Sequence, residues 1–110
     1  MVKYVIQRYS RYAIYEPAEG GYYYDGREPD NLPYATYNTF KEAVEGLQEL
    51  VKRENEGLNE DDEGYLCLSV GTKVAEANSC NHKYVGAGCD WYVEPINRRG
   101  RHKEGWKPYC

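Results

Sequence analysis

From its start the chain alternates between two sets of side chains. Val2, Tyr4 and Ile6 fall on one side, Lys3, Val5, Gln7 and Tyr9 on the other. A period of two is that of an extended strand, and the β-branched and aromatic residues here suit a pleated surface. Ser10 and Arg11 interrupt the run, and Tyr12-Ala13-Ile14-Tyr15 resumes it. The segment from Glu16 to Gly21 holds one proline and two glycines, so it reads as a turn. Tyr22-Tyr23-Tyr24 then returns as an antiparallel partner of residues 12–15, and Asp25-Gly26 closes it. Residues 27–33 contain two prolines and read as loop.

At Thr39 the period changes. Thr39 and Glu42 are spaced as a capping box. Phe40, Ala43, Val44, Leu47, Leu50 and Val51 follow at the spacing of one buried helical stripe. Gly46 costs this helix about 1 kcal/mol relative to alanine, which suggests close packing against the sheet. Gly57 suits a left-handed position after the last turn, with Leu58 covering it. Beyond an acidic stretch, Leu66, Leu68 and Val70 form one face of a further strand, with Cys67 on the opposite face in a packing role. Residues 73–77 fit a short strand or a helical turn equally, and residues 78–88 read as loop. Trp91 to Glu94 make a last strand, stopped by Pro95.

These elements predict an α+β fold. It consists of a mainly antiparallel sheet of about four to five strands packed against one amphipathic helix, at about residues 39–55. The expected organisation is a single domain over residues 1–96 followed by a basic C-terminal tail over residues 97–110.

Charge sharpens that division. Of the 110 residues, 1–96 hold nine basic and seventeen acidic groups, whereas 97–110 hold five basic and one acidic. Carboxylates crowd at Glu54, Glu56, Glu60, Asp61, Asp62 and Glu63, where mutual repulsion favours a solvated segment. The tail carries Arg98, Arg99, Arg101, His102 and Lys103, which either attract that acidic loop or stand apart from it. A net-acidic body argues against nonspecific duplex binding, which needs many cations to displace counterions. It permits the opposite role, in which spaced carboxylates occupy a groove built for nucleic acid. No apolar run approaches the roughly 20 residues that span a bilayer. The opening MVKYVIQRYS does not have the form of a signal peptide. The expected location is therefore the cytoplasm, without membrane partners.

Candidate chemistry is sparse. Cys80, His82 and Cys89, with His102 or Cys110, supply enough ligand atoms for zinc. Their spacing lacks paired Cys-x-x-Cys knuckles. A Cys80–Cys89 disulfide and free thiols are the alternatives, the disulfide being at odds with a reducing cytoplasm. No spacing brings either histidine beside a cysteine to activate a thiolate. The acidic groups at Asp25, Glu28 and Asp30 and at 60–63 do not follow calcium-loop positions. Gly86-Ala87-Gly88 lacks the dinucleotide-binding setting. No cofactor and no catalytic residue is assigned.

Tyrosine is the unusual signal: thirteen against one phenylalanine, nine of them within residues 4–37. A single helix covers one sheet face, so several of these rings should stay exposed. Exposed tyrosine is a stiff, amphipathic contact enriched at interface hot spots. The partner-binding candidates are therefore Tyr12, Tyr15, Tyr22, Tyr23 and Tyr24, joined by Glu60, Asp61, Asp62 and Glu63 as steering charges. The bland counterpart is that the tyrosines merely fill a half-wet sheet.

The order KYVIQRYSRYAIY, GYYYDG, YNTFKEAVEGLQELVKREN resembles small accessory proteins encoded by phages and prophages. In these an aromatic hairpin precedes a helix opening with Phe or Tyr, Thr and Glu-Ala. The resemblance covers the first half of the chain and carries no functional residue across. It implies a dedicated binder, such as an anti-CRISPR-like inhibitor of host defence. The leading expectation is thus a non-enzymatic protein that inhibits a larger host protein, such as a nucleic-acid-handling defence enzyme, by surface occlusion or polyanion mimicry. Two alternatives stand beside it. One is a zinc- or thiol-containing module around Cys80, His82 and Cys89. The other is a single-strand binder whose sheet tyrosines stack bases, with Lys3, Arg8, Arg11 and Arg27 as flanking cations.

Overall fold

The computed structural model describes residues 2–17, 20–81 and 84–102, apart from the side chains of Glu16 and Tyr22. Six strands and one helix follow in order: β1 (Tyr4–Glu16), β2 (Tyr22–Pro29), β3 (Ala35–Tyr37), α1 (Phe40–Glu54), β4 (Leu66–Val70), β5 (Ala75–Ser79) and β6 (Cys89–Pro95). The strands form one antiparallel sheet in the order β2-β1-β6-β5-β4, with β3 also on β1. The fold is α+β.

The helix forms as its sequence dictates. Thr39 has extended backbone angles, and its side-chain oxygen accepts the Glu42 N–H at 3.1 Å. Glu42 turns back onto the Thr39 hydroxyl at 3.2 Å, rather than onto the backbone N–H of an ideal capping box. Ala43, Leu47, Leu50 and Val51 are buried. They meet Ile6, Leu66, Ala75, Ala77, Trp91 and Val93 from the sheet, which completes one hydrophobic core. At the far end Asn55 both donates to the Leu66 carbonyl at 2.9 Å and accepts its N–H at 2.7 Å. The cap of the helix thereby closes the first outward-facing peptide group of edge strand β4.

β1 departs from expectation. Ser10 and Arg11 do not break it; it runs through thirteen residues. Its first part pairs with β6 from Tyr4 to Ser10, and with β3 from Tyr4 to Ile6. From Tyr9 onward it pairs with β2, so its outer half projects as a two-stranded ribbon past the end of β6. β2 likewise continues through Arg27 and Pro29, where a loop was expected. Proline is tolerated there because β2 is an edge strand whose outer N–H needs no partner. β3 was not anticipated, and the stretch from Asp30 to Tyr34 stays tied to β1 through Arg8 and Ile6 carbonyls at 3.0 and 2.8 Å. The ambiguous segment is strand β5, displaced to residues 75–79, and β6 is longer at both ends than its apolar centre indicated.

Of the basic segment 97–110, residues 97–102 pack onto the sheet, and residues 103–110 lie outside the described residues. After a short 3-10 turn from Ile96 to Arg98, the chain lies over the sheet face opposite α1. Gly100 N–H meets Glu94 Oε1 at 2.9 Å, and His102 N–H meets the Tyr9 hydroxyl at 3.1 Å. Val5, Gln7 and Tyr9 on that face are fully buried. The sheet centre is thus covered on both sides, by the helix on one and by the C-terminal segment on the other.

A disulfide joins Cys67 of β4 to Cys80 just after β5, with Cα atoms 6.0 Å apart. The expected packing role for Cys67 and the alternative of a Cys80–Cys89 disulfide both give way to this bond, and Cys89 is a free thiol. The reason is register. Cys67 sits opposite Asn78, two residues before Cys80, whereas Cys89 opens β6 on the helix-facing side beside Ser10.

Two measurements test this packing. Gly46 lies under Tyr37, and a Cβ added there overlaps the Tyr37 hydroxyl and ring. Gly46→Ala should therefore destabilise the protein, although alanine is the better helix former by about 1 kcal/mol. In a Tyr37→Ala background the same change should become stabilising; additivity of the two substitutions in denaturant melts would contradict the contact. The disulfide closes a loop with a sequence separation of 13, for which chain entropy gives about 3 kcal/mol. Reductant should lower the unfolding free energy by that order, and a Cys67→Ser/Cys80→Ser variant should melt like the reduced protein with no further response to reductant.

Candidate interaction surface

Alternation along β1 and β6 sets Gln7, Tyr9 and Arg11 beside Asp90, Tyr92 and Glu94 on the face away from α1. Asp90 and Glu94 have no exposed surface. Two carboxylates out of water demand compensation, and two clusters provide it. Arg11 grips Asp90 with Nη2–Oδ1 at 2.6 Å and Nε–Oδ2 at 2.9 Å, a fork-on-fork arrangement. Arg27 Nε adds a third bond to Asp90 Oδ2 at 2.9 Å. Arg11 Nη2 also reaches the Ser79 carbonyl at 3.0 Å. Hydrogen bonding to Asp90 holds the Arg11 proton more tightly still. The second cluster surrounds Glu94. The Tyr9 hydroxyl donates to Oε2, and His102 Nδ1 lies 2.5 Å from the same oxygen. The His102 ring stacks on Tyr92, with centroids 3.9 Å apart and planes 9° apart.

These clusters place the surface that faces outward. Arg11 and Arg27 stand opposite each other at the root of the β1–β2 ribbon, so the Asp90 knot anchors it. Beyond the root, Tyr15 and Tyr23 pair across the ribbon with centroids 4.9 Å apart. They are 52% and 58% exposed. Tyr12 is exposed on the other face, over Gly26. The loop before β6 leans on the same ribbon. Gly86 N–H bonds Asp25 Oδ1 at 2.6 Å, and the Gly88 carbonyl accepts the Arg11 N–H at 3.3 Å. Gly86 takes φ +86° against the Ala13 backbone, where a side chain does not fit. Here Tyr84, 73% exposed, and Val85 project outward.

The acidic loop lies at the same end of the sheet. It precedes β4, whose first residue, Leu66, sits opposite Ser79 at the end of β5. Asn81 Nδ2 donates to the Glu60 carbonyl, and the Asn59 N–H bonds Asp62 Oδ2 at 2.8 Å. Glu60, Asp61 and Glu63 are exposed, whereas Asp62 is half-buried in that turn. About three strand spacings, roughly 14 Å, separate β1 from β4 across this end. Among the described residues no ion pair joins the acidic loop to Arg98, Arg99 or Arg101.

The sequence-derived candidates divide accordingly. Tyr12, Tyr15 and Tyr23 are exposed, and the last two touch. Tyr24 is only 9% exposed and belongs to the core side of the ribbon beside Ile14, so it is no contact residue. The Tyr22 side chain lies outside the described residues. Tyr84 and Val85 were missed because their loop has no periodicity; only their size amid glycines hinted at them. The tyrosine surplus also has a second destination, since Tyr9 and Tyr92 are buried under the C-terminal segment.

The zinc alternative loses two of the side chains offered for it. Cys80 is bonded to Cys67, and His102 is bound to Glu94. His82 and Cys110 lie outside the described residues. Among the described residues no three His, Cys, Asp or Glu side chains converge on a metal position. Three of the four cations expected to flank stacked bases are engaged: Arg11 and Arg27 close on Asp90, and Arg8 reaches Asp30 at 3.5 Å, whereas Lys3 is exposed. Among the described residues no helix is long and apolar enough to cross a membrane.

The buried phenols give this region an alkaline signature. Burial pushes the Tyr92 hydroxyl up to about 12. Burial and its bond to Glu94 raise Tyr9 further above the ordinary value near 10. Between pH 10 and 12 the unfolded chain loses protons that the native state keeps, so stability should fall as pH rises through that window. Tyr92→Phe, which keeps the stacked ring, should flatten the fall in pH-dependent melts; an unchanged slope would show that this hydroxyl is not sheltered.

No protein-family model, curated protein or solved structure matches the chain.

Proposed function

We propose that this chain is a non-enzymatic binding protein that inhibits a larger protein partner by covering its surface. One observation carries the reading: exposed Tyr12, Tyr15, Tyr23 and Tyr84 share one end of the sheet with the exposed carboxylates Glu60, Asp61 and Glu63. Large rings on a ribbon anchored by a buried ion cluster lose little conformational freedom on docking. The nearby negative charge supplies steering toward a cationic surface. A groove that normally holds nucleic acid fits that description, with the carboxylates standing where phosphates bind. This is the action expected of the phage-encoded inhibitors that the first half of the chain resembles.

Rings and charges should separate kinetically. Against a partner recovered from host lysate, Tyr15→Ser/Tyr23→Ser should raise the dissociation rate by about tenfold or more. Glu60→Gln/Asp61→Asn/Glu63→Gln should instead slow association about tenfold at low salt and flatten its salt dependence. Recovery of the same proteins in equal amounts by the wild-type chain and the double tyrosine variant would refute the reading.

A further inference from the structure

The opposite end of the sheet has a different chemistry. There β1 and α1 begin, β6 ends, and the β4–β5 turn closes. A cavity of about 330 Å³ opens between them, large enough for a small organic ligand. Its wall is apolar: Tyr4 and Phe40, meeting edge-to-face with centroids 5.7 Å apart, together with Val93 and Pro95. Its remaining lining is polar and cationic, from Thr72, Lys73 and Arg101. Among the described residues, neither Lys73 nor Arg101 has a carboxylate partner, and no Asp or Glu lines the cavity.

We propose that this cavity binds a small apolar carboxylate, its hydrocarbon body against Tyr4, Phe40, Val93 and Pro95 and its carboxylate between Lys73 and Arg101. Each half of the ligand meets the chemistry it needs. The apolar body leaves water against an aromatic and aliphatic wall. The carboxylate takes charge-assisted hydrogen bonds from two cations that have no carboxylate partner among the described residues, with the Thr72 hydroxyl as a further donor. Arg101 follows directly on Gly100, which Glu94 fixes, so the C-terminal segment contributes one of the two charges. A neutral body of the same size loses the cations, and a bare inorganic anion loses the wall. The site lies at the far end of the sheet from the aromatic and acidic surface, and its occupancy is independent of that reading.

Octanoate and 3-phenylpropanoate are suitable probes, with octanol as the neutral control and inorganic phosphate as the bare anion. In titrations of the full chain followed by backbone amide shifts, both carboxylates should produce saturable changes centred on Phe40, Thr72 and Lys73. Octanol and phosphate should each bind at least about tenfold more weakly. The tighter of the two carboxylates shows whether the wall selects an aliphatic or an aromatic body. Lys73→Gln and Arg101→Gln, both exposed and outside the core, should each weaken octanoate about tenfold while leaving the melting temperature of the free protein unchanged. Shifts that do not saturate, that octanol reproduces, or that survive both substitutions would overturn the site.

Discussion

Asp90 is a carboxylate with no water around it, on a central strand between two others. A charge in that position must be matched, and removing one partner of a buried pair typically costs about 3–5 kcal/mol. Here the matching cations come from β1 and β2, the two strands of the projecting ribbon. The ribbon is otherwise the part of the sheet with least support, since β6 starts at its root, with Cys89 opposite Ser10, and does not extend along it. Charge compensation and ribbon orientation are therefore a single requirement. Arg11 extends it to β5 through the Ser79 carbonyl. Three strands and the loop before β6 meet around one carboxylate.

Glu94 repeats the arrangement two side chains further along the same face. Its partners come from Tyr9, Gly100 and His102, and they hold the C-terminal segment over the sheet. The outcome is a sheet with an apolar layer on the helix side and a hydrogen-bonded polar layer on the other. Apolar packing tolerates many residues of similar volume. A polar layer specifies its partners atom by atom, because each unmet group carries its full desolvation cost. The C-terminal segment is fixed by that demand together with the His102 ring stacked on Tyr92.

The two ends of the sheet inherit opposite characters. Rings and carboxylates face outward where the ribbon projects, and the cations Lys73 and Arg101 border an apolar hollow where the helix begins. Sequence spacing put Tyr15 and Tyr23 on the strands. It did not separate them from Tyr24, which has the same chemistry but points into the core side of the ribbon. Nor did spacing show that Arg11 and Arg27 would be spent internally, which removes them from any role on the surface. Cys67 and Cys80 were legible only as two cysteines among four, because their pairing follows from the register of β4 on β5.

What the chain alone determined was local. The α1 stripe, its Thr39 cap and the alternation along β1 arise from contacts a few residues apart, and periodicity encodes them directly. The antiparallel α+β architecture follows, since one stripe and several short strands have few ways to share a core. Tertiary structure decided everything that depends on a distant partner. Arg11 looks like a strand breaker until Asp90 arrives from 79 residues away. Residues 97–102 look like part of a loose basic tail until Glu94 and Tyr9 present bonds to them. A polar residue announces a need for a partner, and only the folded chain supplies its address.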